Sequence, residues 1–324
     1  MNFIKLSLAM AVGFAASLVP LQASHEDLPA LKNLSLSHNA PQMDVDIIWL
    51  PSENFSKTPD GDAIQIVPKA LSVSCMGTEL YDSLRRLTKS KENGGDGIST
   101  HFFIPQLTGA QLMESYPDLV EGKTLHHPDQ VPVFQLVDET HRAWHAGVSK
   151  WRLLNALEGC AAGINSCTIG VHFHTPGYAN GDGSDWFKFT PFTAPQMATG
   201  GALLKGLVQR HTFDARNIVA YADVQEGRTA PGPLFGWRSL ATDFGVGYYP
   251  TPLDLRPSIE GDVNVYVEKA LKDIGYHFET PKLGVYVNKF RMRFMGETWH
   301  EVNQEIDDAF LCHLVPVLAM YSKK

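Results

Sequence analysis

His172 and His174 stand two residues apart in the run Thr168-Ile-Gly-Val-His-Phe-His174. In an extended chain that spacing puts both imidazoles on one face, with Ile169, Val171 and Phe173 on the other. Two imidazoles on one face can ligate a metal, relay a proton or hydrogen-bond a sugar or peptide, and polar contact in a groove is the plainest of these. Leu71 and Val73 alternate in the same way with Ser72 and Ser74, which gives a second strand a hydroxyl face. Cys75 follows, and a thiolate turned to the groove would bind zinc well. Cys160 and Cys167 lie close together among Gly159, Gly163, Asn165 and Ser166, a spacing suited to a disulfide. Closing so short a loop is worth about 2.5 kcal/mol in the chain-entropy account. Cys75 and Cys312 have no sequence neighbour and read as free thiols. Asn180-Gly-Asp-Gly-Ser-Asp185 is rich in oxygen and glycine, yet it lacks the terminal Glu of a calcium loop and reads as a surface turn.

Strand-like runs rich in β-branched and aromatic residues recur along the chain: Ala70 to Cys75, Ser99 to Ile104, Pro132 to Val137, Thr168 to His174 and Asn217 to Tyr221. Between the last two, Gly200, Leu203, Leu204, Leu207 and Val208 fall on one helical face. The pattern is α/β, a sheet with helices packed on it. Gly247 to Pro257 is Pro-rich, and beyond it Val263, Val267, Ala270, Leu271 and Ile274 predict an amphipathic helix that stops at Gly275. Val302, Ile306, Ala309, Phe310 and His313 predict another. Residues 106–129 read as an inserted loop over the groove. The expected organisation is a signal peptide over 1–23, a tether over 24–43, a main domain over 44–250, a Pro-rich linker over 251–258 and a small helical domain over 259–324.

The 324 residues include 27 Lys and Arg against 35 Asp and Glu, a formal charge of −8, with 44% hydrophobic residues. That is enough apolar material for a packed core, and it excludes disordered and collagen-like classes. An acidic balance without a basic run also argues against a protein that grips nucleic acid through its phosphates. Met-Asn-Phe-Ile-Lys5 followed by the apolar run Leu6 to Val19 and by Ala23 and Ser24 reads as a secretory signal, too short to span a bilayer. The expected location is periplasmic or secreted, with no membrane association after cleavage.

Four ordered segments carry more specific information: Pro51-Ser-Glu-Asn-Phe55, His141-Arg-Ala-Trp-His-Ala-Gly147, Thr168-Ile-Gly-Val171 and Gly227-Arg-Thr-Ala-Pro-Gly-Pro-Leu-Phe-Gly-Trp237. With them the chain resembles the zinc-dependent N-acetylmuramoyl-L-alanine amidases of the peptidoglycan-recognition type, in particular the periplasmic recycling branch with a C-terminal helical, peptidoglycan-binding-like domain. The resemblance implies a mixed central sheet flanked by helices plus that small helical domain. It also implies a groove for the glycan-peptide junction, where two His and one Asp hold zinc and a Glu handles the proton.

The residues in the corresponding seats are different ones. A motif like V-x-H-Y-T-G aligns with Ser72-Val-Ser-Cys-Met-Gly77 and puts Ser74 in the first ligand seat. A motif like V-x-H-x-D-I-x-P aligns with Val219-Ala-Tyr-Ala-Asp-Val224 and puts Tyr221 in the second. The third, the Asp of R-K-x-D-P-G, falls on Ala230 with one residue missing, and the adjacent Lys is replaced by Thr229 or deleted. His172 takes the place of the Glu. A neutral hydroxyl and a phenol are poor zinc ligands, and Ala has no donor. Trp144, His145 and Arg228 keep the rim and loop motifs, so that Trp144, His145, His172, His174 and Arg228 are the expected ligand-binding residues.

The implied function is binding of peptidoglycan or muropeptides by an amidase fold that has lost its zinc ligands, with no cofactor expected. An alternative is an active amidase with a rebuilt metal site drawn from His172, His174, Cys75 and Asp223, in which case zinc is the cofactor. A third is a module that binds a protein partner.

Overall fold

The structure, a computed structural model, describes residues 45–175, 189–298 and 302–323. The expected signal and tether, and the Asn180–Asp185 turn, lie outside these residues. Strands β1 (Ile47–Trp49), β2 (Ala70–Met76), β3 (Phe102–Ile104), β4 (Val133–Gln135), β5 (Thr168–His174) and β6 (Ile218–Ala220) form one sheet in the order β1-β4-β3-β5-β2-β6. The pairing of β3 with β4 is antiparallel and the other pairs are parallel, so the sheet is mixed. Helices α1 (Leu80–Thr88), α2 (Gly109–Ser115), α3 (Arg152–Asn155), α4 (Ala194–His211), α5 (Tyr221–Val224), α6 (Trp237–Asp243), α7 (Val263–Ile274), α8 (Leu283–Phe294) and α9 (Asp308–Tyr321) flank it.

Alternation along the strands decides what each face meets. Leu71, Val73, Ile169, Val171 and Phe173 point to one side, where Leu203, Leu204 and Leu207 of α4 cover them. Gln196 ties α4 in place by donating to the carbonyls of His174 and Ile104. The opposite face shows one row across the sheet: Ile48, Phe134, Phe103, His172 and Ser74 stand in register on adjacent strands. Its apolar end is buried under α1 and α2, where Leu84, Leu87 and Leu112 join the same cluster. Beyond Ser74, Ala70 and Val219 are covered by α3 and the C-terminal helices in a cluster that includes Trp151, Val267, Phe290 and Phe310. Between these two covers the middle of the row stays uncovered, and there the groove opens.

Several sequence expectations need correction. Residues 106–129 do not arch over the groove, because Leu112, Leu119 and Val120 bury against the α1 side and Asp46 accepts from the His126 and His127 amides. The strand expected to Tyr221 ends at Ala220, since the Asp223 carboxylate captures the Ala220 N–H at 2.8 Å and starts α5 there. The helix expected from Val302 begins at Asp308, after Asp307 accepts from the Phe310 amide. The strongest departure is α8, which the apolar pattern did not announce: its buried residues include Asn288, Lys289, Arg291 and Arg293.

Candidate functional site

The groove contains a cavity of about 960 Å³ lined by Ser74, His172, Tyr221, Thr229 and Ala230, together with Trp144, His145 and Arg228. Thus β2, β5, α5, the 227–231 loop and the 141–147 segment each deliver residues to one space. Trp144 forms the rim: its indole N–H donates to Ser56 Oγ at 2.9 Å while the side chain remains 37% exposed. Fixing the polar edge in this way leaves an aromatic face for stacking. The Arg228 guanidinium lies 5.6 Å from the Tyr221 ring centroid.

His145 packs directly on β5, where Gly170 leaves no room for a side chain: a Cβ there would fall 2.4 Å from His145 Cγ. The hydroxyl proton of Thr168 goes to the Ile164 carbonyl, so Thr168 Oγ1 accepts from His145 Nε2 at 2.7 Å. That fixes the tautomer and leaves Nδ1 of His145 bare, buried and without a protein partner. Nearby, His101 Nδ1 accepts from the Gly170 amide and its Nε2 donates to the His141 carbonyl. His172 Nδ1 is also buried without a protein partner. Burial drives all three imidazoles toward the neutral form: His101 to about 4, His172 to about 3, and His145 well below the usual histidine range, each lowered further by a neighbouring imidazole or, for His145, also Arg142.

His101 was missed by the sequence reading, although alternation within Ser99 to Ile104 sets it on the same face as Phe103 and hence as His172. Gln225, whose buried Oε1 has no partner, also lines the cavity and had no motif to mark it.

The other candidates do not converge on one point, although Cys75 also borders the cavity. His174 leaves β5 on the same face as His172, but its Nε2 donates to the Thr78 carbonyl at 2.8 Å and its ring packs on Phe103, away from the cavity wall. Asp223 is withdrawn among the Ala220 amide, Tyr276 and Arg293. Cys75 stands beside Phe173 on the opposite sheet face from Ser74, with its thiol pushed up to about 12 by burial and its Sγ 3.9 Å from the Pro231 carbonyl. Among the described residues, no three His, Cys, Asp or Glu side chains are arranged to hold a metal. Hydroxyls, a phenol and an amide dominate the cavity wall, and its imidazoles, the Cys75 thiol and the Asp96 carboxylate do not converge in the threes that zinc requires. The fallback group of His172, His174, Cys75 and Asp223 is therefore not assembled. Away from the groove, Cys160 and Cys167 form a disulfide with their Cα atoms 5.2 Å apart, whereas Cys75 and Cys312 are free. No helix of the described residues is long and apolar enough to cross a membrane.

Known proteins resemble this chain in sequence and in fold. AmiD of Escherichia coli (strain K12), an N-acetylmuramoyl-L-alanine amidase, is 30% identical over 183 residues, which are 56% of this chain and 55% of AmiD. AmpD of Enterobacter cloacae, a 1,6-anhydro-N-acetylmuramyl-L-alanine amidase, is 34% identical over 106 residues, 32% of this chain and 47% of AmpD. The chain thus spans about half the length of the curated relatives it matches. The solved complex of AmiD with anhydro-N-acetylmuramic acid-L-Ala-D-gamma-Glu-L-Lys shares the fold with a TM-score of 0.60 at 22% identity, covering 81% of this chain and 93% of that one. AMPDH3 from Pseudomonas aeruginosa does so with a TM-score of 0.60 at 20% identity, covering 90% and 100%. The sequence model described as N-acetylmuramoyl-L-alanine amidase (Amidase_2) matches residues 65–233, over half of the chain, and the chain belongs to that family.

Proposed function

We propose that this protein binds muropeptides, or peptidoglycan that carries them, in the groove over β2 and β5 without zinc-dependent cleavage, after export to the periplasm or beyond. One observation carries the reading: Ser74, Tyr221 and Ala230, the residues that the motif resemblance sets in the zinc-ligand seats, line one cavity and bring it no competent metal donor. A three-ligand zinc site draws nearly all its affinity from such donors. The ligand class is supported by the complex of AmiD with an anhydromuramoyl peptide and by the AMPDH3 complex with anhydromuramic pentapeptide. Unpartnered nitrogens on His145 and His172, and the Gln225 amide oxygen, are suited to the hydroxyl and amide groups of such a ligand. The run over 1–23 supports export.

The test pairs zinc quantitation on the purified protein with a muropeptide digestion and binding assay. The expected result is binding with far less than one zinc per chain and no released L-Ala-peptide. Stoichiometric zinc with released peptide would end the proposal.

A further inference from the structure

A second cavity, of about 980 Å³, opens where the segment after Gly147 meets the end of α7. Gly147 borders both cavities, and its φ of 57° turns the chain from Trp144 and His145 in the groove to Ser149 and Lys150 in the second space. The wall carries Arg142, Lys150, Arg152, Lys272 and His277, and no Asp or Glu among the described residues lines it. Some of these cations have internal work. Arg152 donates to the Lys272 and Asp273 carbonyls at the end of α7, and Lys272 pairs with Glu268. Lys150 is different: its Nζ meets His277 Nε2 at 3.4 Å, and no carboxylate pairs with it among the described residues.

Two buried polar atoms on the same wall are unpartnered. Ser149 is 3% exposed and its Oγ has no hydrogen-bond partner. Arg142 gives one guanidinium nitrogen to Ser56 Oγ, but its Nε is buried without an acceptor. A concave wall with excess positive charge and unused donors concentrates anions. At its lip Val148 is 83% exposed, an apolar surface suited to an aliphatic stretch of ligand.

We infer that this cavity is a subsite for the carboxylates of a peptide whose sugar-bearing end occupies the groove. The assignment rests on the muropeptide reading above. The shared border at Gly147 favours a tethered peptide carboxylate over a free phosphate, since one continuous ligand can then occupy both spaces.

The experiment follows binding of an anhydromuramoyl L-Ala-D-Glu-L-Lys peptide to the full chain by calorimetry and by NMR of the Lys150 and His277 amides and the Trp144 indole. Expected results are shifts at all three, binding weakened about tenfold when the peptide carboxylates are amidated, and loss of that discrimination in Lys150→Glu, an exposed site that leaves the fold intact. If the Trp144 signal shifts while amidation has no effect, the subsite is wrong and the muropeptide reading stands. If Trp144 does not respond, the muropeptide reading fails and the subsite, which rests on it, is overturned with it. Inorganic phosphate that competes as well as the peptide would overturn the carboxylate assignment.

Discussion

Arg293 Nε lies 3.5 Å from Asp223 Oδ2, with both side chains almost wholly removed from water. Asp223 belongs to α5 and Arg293 to α8, so the C-terminal helices are joined electrostatically to the segment that carries Tyr221 into the groove. The carboxylate also accepts from Tyr276 and from the Ala220 amide, while Arg293 donates to the Ile218 carbonyl and stacks on Trp237 at 3.4 Å from its ring centroid. One turn earlier, Lys289 donates to the Ala222 and Gln225 carbonyls. Helix α8 thereby satisfies the backbone of the groove wall as well as covering it.

Removing one charge from this network should cost far more than removing the pair. Burial raises the Asp223 carboxyl above the usual range, and Arg293 is the largest influence opposing it. Arg293→Met strands a buried carboxylate, and the expected loss is about 3–5 kcal/mol. Arg293→Met combined with Asp223→Leu should recover a substantial part of it. Urea midpoints for the two single variants and the double variant measure the coupling, and additive losses would show that the pair does not interact.

Acid should destabilise the protein through the three groove imidazoles before most carboxylates protonate. The folded state holds His101 near 4, His172 near 3 and His145 lower than usual, against 6.5 for the unconstrained side chain. Between those values the unfolded chain binds protons that the folded chain does not. Their contribution is therefore complete above pH 6.5 and is lost as pH falls toward the folded values, by about 1.4 kcal/mol per pH unit for each group. Around them, Asp138 raises His101 and Arg142 lowers His145, and neither reverses the direction. NMR titration checks this directly: the imidazole signals should stay neutral down to pH 5 while denaturant midpoints fall. Imidazoles that titrate near 6.5 in the folded state would contradict it.

The sequence was most legible where one physical rule dominated. Alternation in Thr168 to His174 set the faces of β5 as observed, and the apolar stripe on α4 and the Gly275 stop of α7 were equally clear. It was least legible where polar residues do the packing. Helix α8 buries Lys289 and Arg293 against carbonyls and a carboxylate that lie some 65–75 residues away. No local pattern can show such partners. For the same reason the one-face rule for His172 and His174 was right about direction and wrong about the shared destination, because the Thr78 carbonyl holds His174 elsewhere.

Trp144 should contribute to ligand binding through its ring and not through its N–H. The N–H is committed to Ser56 Oγ, while the ring faces the cavity. Trp144→Ala is expected to weaken muropeptide binding about tenfold, the scale of one sugar–aromatic stack, and Trp144→Phe to restore most of it. Ser56→Ala should have a smaller effect, because it frees the ring without removing it. Calorimetry on the three variants distinguishes these roles. Equal loss in Trp144→Phe and Trp144→Ala would assign the effect to the indole N–H.

Gly170 is expected to be the least replaceable position on the groove floor. It has no positive φ to explain it; the constraint is the His145 ring, against which an added Cβ would press at 2.4–2.8 Å. His145 cannot retreat cheaply, because Nε2 is held by Thr168 and the ring meets His101 edge-on at 5.4 Å between centroids. Gly170→Ala should therefore cost about 1–3 kcal/mol and push His145 toward the cavity, weakening ligand binding in the same variant. A second change, His145→Ala, provides the space: the double variant should regain stability lost to the clash, although not the contacts of the imidazole. Denaturant midpoints across this cycle, read with muropeptide affinity, test the relation, and a stable Gly170→Ala with unchanged affinity would show that the floor can yield.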